Sequence, residues 1–311
     1  MMKKLFGILL LIAVLASLTA IDDKFLYPLA HIQTGQALGI EVFDEQVITR
    51  SQNQIWIYSI FNPWQPRIEA SYLSAAQIED FDLVGENYLY VVTHEPANIV
   101  VPVDSLNSYS RIYFTEHLPG DRITREGSTL YVADRFKGID IINIGSGGLR
   151  EIISTFSTNW GIRDFVALYP TLFALNDFGL VTVDISDQQF PVSRGQNYQI
   201  NDARVMVKNG DTIWLGADKN LFGINIKDLK NPRLVNQFRM SNEILDLEVK
   251  DDRLFIALGR GGVKILDVRD PLRINDLHNL NPPFSVYDIA LSKDMVFLGL
   301  GRDGWVIYEY R

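Results

Sequence analysis

The side chains able to move protons, hold metals or attack bonds are few in this chain. The four histidines, His31, His94, His117 and His278, have no second histidine or carboxylate at metal-ligand spacing, so no metal site is expected. Cysteine is absent, which excludes a thiolate nucleophile, a thiol metal site and a disulfide framework. There is no calcium loop of alternating Asp, no phosphate-cradling glycine loop and no serine in a strand-turn-helix setting. The glycines of ALGRGGVKI (257–265) precede no helix and read as a hairpin turn, and no cofactor is expected.

What remains for acid–base chemistry is a scatter of carboxylates: Asp80, Asp82, Asp164, Asp246 and Asp288. Three of them, Asp164, Asp246 and Asp288, lie eight residues before Leu172, Leu254 and Val296. They occupy one recurring position, which favours a repeat-bound structural role over catalysis.

Recurrence extends to the whole chain. A short run with a central aromatic appears as YLYVV (88–92), TLYVA (129–133), TLFAL (171–175), TIWLG (212–216), RLFIA (253–257) and MVFLG (295–299), with Ile48 in the matching place of QVITR. Its centres, Ile48, Tyr90, Tyr131, Phe173, Trp214, Phe255 and Phe297, are 41 or 42 residues apart. A second ruler, Ser59, Asp104, Asn143, Asp184, Asn225, Asp267 and Glu309, keeps a period near 42. A short polar side chain there can accept backbone N–H groups two residues on and fix a turn.

Each copy holds about four short β-patterned runs split by Gly, Asn, Asp and Pro, and no sustained helical stripe follows residue 20. That pattern predicts an all-β fold: a seven-bladed β-propeller of four-stranded antiparallel blades. The mid-strand aromatics fill the wedges between blades rather than forming a stacking platform. The last copy has only three strands, whereas KFLYPLAHIQ (24–33) precedes the first copy. This N-terminal strand is expected to complete the last blade and remove an exposed edge.

The runs GLVTVDISDQQFP (179–191) and GVKILDVRDP (262–271) resemble the LVIVD repeat of exported bacterial and archaeal proteins, over roughly residues 36–311. VVPVDSLNSYS departs from the repeat in having Pro102 within the strand, and INIGSGGLR lacks both the Asp and the Pro. The resemblance implies a propeller, export and a generic surface or interaction role.

In an antiparallel blade, the turn between the second and third strands shares an end with the link to the next blade. Arg50, His94, Arg135, Asp177, Asp218, Arg260, Arg302 and Asp303 therefore ring one face with Trp160, Tyr198 and Phe284 from the links. Arg135, Trp160, Asp177, Tyr198, Arg260, Phe284 and Arg302 are the candidate ligand-binding residues. The expected function is non-catalytic binding of a protein or glycan partner on this loop face. The alternative is a propeller enzyme, a lyase, lactonase or hydrolase, with its site in the central channel.

Lys3 and Lys4 lead the apolar run Leu5–Leu18, followed by Thr19 and Ala20. Residues 1–20 read as a secretory signal and 21–311 as the propeller domain, giving an extracytoplasmic location (periplasmic, cell surface or secreted) with no stable membrane span after signal removal. The formal net charge of −9 disfavours nucleic acid as a partner. A hydrophobic content of 47% against 22% charged residues supplies ample core.

Overall fold

The computed structural model describes residues 26–33, 35–84, 88–93, 102–104, 111–145, 150–158, 161–197, 200 and 202–310. The proposed signal segment lies outside them. Seven four-stranded sheets follow one another along the chain in a β-propeller. Their innermost strands are Gly39–Phe43, Ile78–Val84, Arg122–Glu126, Asp164–Leu168, Ala203–Asn209, Asp246–Lys250 and Asp288–Leu291. All seven strands line one central cavity.

Six sheets are antiparallel throughout, and the second is not. There Tyr88–Thr93 pairs in parallel with Arg111–Pro119, and Pro102–Asp104 forms the outer edge. This corrects the expectation of seven alike antiparallel blades. The physical reason lies in Pro102, which lacks an N–H and cannot serve a central ladder, so its strand is tolerated at an edge. Asp104 therefore does not sit in the third strand as its counterparts do.

In the last sheet, Leu26–Ile32 pairs antiparallel with Trp305–Tyr310, from Leu26 opposite Tyr310 to Ile32 opposite Trp305. The N-terminal strand thus completes the sheet begun by the C-terminal one, as the incomplete final copy requires. His31 fastens it: Nε2–H donates to the Asp303 carbonyl at 2.8 Å, and burial lowers the pKa of the ring.

Apolar clusters fill the wedges between neighbouring sheets. At the seam, Phe297, Trp305 and Ile307 meet Ile40, Val47 and Tyr58. Between the sixth and seventh sheets, Phe255 and Ile265 meet Val296 and Leu298. Every central residue of the 41–42 series is fully buried, as wedge-filling demands.

The second ruler works as an Asx turn. Asp184, Asn225 and Asp267 accept the backbone N–H groups of Ser186, Lys227 and Arg269 at 2.9, 3.1 and 3.0 Å. The recurrent glycine that opens or precedes the third strand also has a cause. Gly138, Gly262 and Gly304 have φ of 119°, 72° and 82°, and a Cβ there would overlap the carbonyls of Phe156, Leu280 and Ile32 on the adjacent outer strand.

Phe255 is fully buried within its wedge and meets Tyr310 edge-on at 5.6 Å. Phe255→Ala is expected to cost about 3–5 kcal/mol in denaturant unfolding. A loss below about 1 kcal/mol would show that the aromatics do not hold the wedges.

Candidate functional site

Two polar features stand out, the central cavity and a pocket on the predicted loop face. In the cavity the recurring aspartates tie sheet to sheet. Asp80 accepts the Ile123 N–H at 3.0 Å, Asp164 that of Met206 at 2.7 Å, Asp246 that of Ile289 at 2.8 Å and Asp288 that of Ile40 at 2.6 Å. Each bond crosses to the innermost strand of the next sheet. A carboxylate in this place supplies an acceptor that the strand edge lacks, which is the repeat-bound role inferred for Asp164, Asp246 and Asp288.

Enclosing these acids disfavours their charge. Burial pushes Asp164 up to about 7 and Glu248 up to about 8. Burial also raises Glu41 and Asp288, and Asp288 is raised further by the field of Asp246, to which it hydrogen-bonds. Arg122 is the counter-charge. Burial pulls its pKa down, but the fields of Asp80, Asp164, Asp288 and Asp246 outweigh that and leave the guanidinium firmly charged.

The surface pocket has a volume of about 490 Å³ and lies among the first five sheets. The turn after Thr129–Asp134 brings Arg135 and Phe136, while the turn after Thr171–Asn176 brings Asp177. Both turns are set by side chains: Asp134 accepts the Phe136 N–H at 2.6 Å and Asn176 accepts that of Phe178 at 2.8 Å. Asp121 receives the Arg135 backbone N–H at 2.7 Å and its Nε–H at 2.8 Å. Arg163 donates to Asp177 Oδ1 through Nε and Nη2 at 2.8 and 2.6 Å. Gly161 lies so near the Arg135 carbonyl that a Cβ would come within 2.8 Å of it.

Of the predicted ligand residues, Arg135 and Asp177 share this pocket. Arg260 and Arg302 stand exposed on equivalent turns of the sixth and seventh sheets, away from it. Phe284 is half-buried, packed 5.0 Å from His31 and against the adjoining apolar cluster, so its ring is a plug. Trp160, Tyr198 and His94 lie outside the described residues. Sequence reasoning missed Arg122, Arg163, Arg204 and Phe136, which also line the pocket. Phe136 is 85% exposed and Phe178 is 51% exposed on the neighbouring turn. Among the described residues no group of three His, Asp or Glu is placed to hold a metal ion, and no helix is long and apolar enough to cross a membrane.

No family model matches the sequence, and no curated protein matches it. Solved structures of similar shape include a chain of the mitotic checkpoint complex, 10% identical, with 94% of each chain covered and a TM-score of 0.69. The WD40 repeats of RRP9 are 12% identical, covering 92% of this chain and 98% of that one, with a TM-score of 0.68. U3-55K gives the same identity and coverage with 0.67. At such identities the likeness establishes the propeller fold.

The channel acids set a pH dependence. Asp164 and Glu248 keep protons in the folded state that the unfolded chain, with carboxyl pKa values of about 4, has already lost. Their contribution to stability is therefore full below about pH 4 and declines as pH rises, until Glu248 ionises in the folded state at about 8. His31, with its pKa lowered by burial, acts in the opposite sense only below its ordinary value of about 6.5. Among the described groups with shifted pKa values, the acids thus govern the interval from about pH 6.5 to about pH 8. Scanning calorimetry should record a fall in Tm of several degrees across it, at roughly 2–4 °C per kcal/mol. Asp164→Asn should flatten part of the slope, and a Tm that rises with pH would contradict the assignment.

Proposed function

We propose that this chain is an exported interaction module, an LVIVD-like propeller whose second sheet serves as the seventh blade, and that it binds a protein partner through the loop face. The observation that carries this reading is the pairing of two exposed aromatics, Phe136 and Phe178, with an arginine-lined pocket on adjacent turns. Amphipathic or apolar anchors beside Arg are the composition enriched at interaction hot spots. Rigid strands fix these turns, so ordering them on binding costs little.

A protein is favoured over a glycan by the guanidinium groups and the exposed phenyl ring at the pocket, a pairing of Arg with Phe that is enriched at protein interfaces. One of the structural neighbours works as part of a mitotic checkpoint complex, and this chain shares its scaffold. For the channel enzyme alternative, four of the five aspartates it would use, Asp80, Asp164, Asp246 and Asp288, are engaged in holding neighbouring strands together. Export rests on the Lys-led apolar segment at residues 3–20.

Capture of partners from the native host, followed by titration with the purified partner, tests the face. Phe136→Ala combined with Arg135→Ala should weaken binding by about 10-fold or more, as for a hot-spot pair, without lowering Tm by more than a few degrees. Arg260→Ala and Arg302→Ala report whether the contact reaches the sixth and seventh sheets. Binding that survives the paired change and falls on Asp251→Ala, at the opposite end of the strands, would refute the choice of face. Export is tested by intact mass of protein secreted from a bacterial host. The mature chain should begin near residue 17–21, and retention of Met1 would defeat the signal reading.

A further inference from the structure

Five arginines line the surface pocket, Arg50, Arg122, Arg135, Arg163 and Arg204, against three carboxylates, Glu79, Asp121 and Asp177. This basic island sits in a chain of net charge −9. The five do not have the same partners. Arg135 is paired with Asp121, Arg163 with Asp177, and Arg204 with Glu243 at 3.3 Å.

Arg50 and Arg122 differ. Among the described residues neither has a carboxylate within ion-pair distance, and each makes one hydrogen bond, to a backbone carbonyl. Arg50 Nη1–H donates to Ile78 at 3.4 Å and Arg122 Nε–H donates to Arg163 at 3.4 Å. A guanidinium carries five N–H donors in a planar fork suited to carboxylate. Both side chains also border the central cavity, so they form the wall between pocket and channel. The channel aspartates hold Arg122 there by their longer-range field and leave its fork without a carboxylate in bonding range.

We infer that this pocket is the docking site for a carboxylate of an acidic peptide segment on the partner, with Arg50 and Arg122 as the receiving forks and Phe136 covering an apolar neighbour of the acidic residue. The inference rests on the loop face being the working face, and it names the chemistry recognised there. A cation is disfavoured by the surplus of five guanidinium groups over three carboxylates around one cavity. An acidic segment also satisfies the two arginines whose bonding capacity the protein leaves largely unused, at a site where desolvation strengthens charge-assisted hydrogen bonds.

The test is calorimetric titration of the full mature chain with hexaglutamate, hexaglutamine and trigalacturonate. Hexaglutamate should bind saturably and hexaglutamine should not. The affinity should fall about 10-fold or more in Arg50→Gln and also in about 0.5 M salt, where the Debye length is only a few ångströms. Should Arg50→Gln fail to fold, Arg204→Gln, on the exposed rim, should still weaken binding by about 3-fold. Equal binding of both peptides, or hexaglutamate binding that ignores the arginine changes, overturns the inference. Binding of trigalacturonate alone overturns it in favour of an acidic glycan. If hexaglutamate fails to bind while Phe136→Ala still abolishes capture of the native partner, the anion assignment is wrong and the choice of face stands.

Discussion

A twisted four-stranded sheet with two apolar faces cannot bury both by itself, and the architecture follows from that shortfall. Each sheet must lie between two others, and the row of sheets ends only when it returns to its start. The chain closes the row by splitting its last sheet between its two ends. Leu26–Ile32 joins Trp305–Tyr310 by backbone ladder, and the seam is filled by Phe297 and Trp305 against Ile40 and Tyr58. Without cysteine, no disulfide assists, so the closure rests on packing and hydrogen bonds.

The ring creates a second problem at its centre. Seven innermost strands expose edge N–H groups toward a narrow cavity, and aspartates at recurrent positions answer four of them across sheet boundaries. Gathering acids in an enclosed space raises their pKa values. Arg122 balances that field from the third sheet, and in doing so it stands in the wall of the surface pocket. The electrostatics that hold the centre together thereby also set the character of the candidate binding site.

The features legible in the sequence were those that repeat. The aromatic series and the Asx turn recur near every 42 residues, and the aspartates of the inner strands at about 42 residues or twice that, because the sheets solve the same packing problem. The missing outer strand of the last copy was legible as an arithmetic deficit. The order of the second sheet was not, since Pro102 announces that a central strand is broken without saying which segment replaces it. The pocket was only half legible. Arg135 and Asp177 sit on turns whose end of the strand follows from parity, but Arg122 opens an inner strand and Arg163 closes a link, and they meet only through sheet-to-sheet packing. Phe136 gave no signal, because an aromatic in a polar turn resembles a core residue until its exposure is seen.

The N-terminal strand holds the ring shut, and native-state hydrogen exchange reads this out strand by strand. The ladder amides of Leu26–Ile32 and of Trp305–Tyr310 should be protected alike and should exchange together with the core strands, as parts of one cooperative unit. Exchange of the Leu26–Ile32 amides at rates near those of free peptide, with the core still protected, would show that the ring stands without its strap and would contradict closure by this strand.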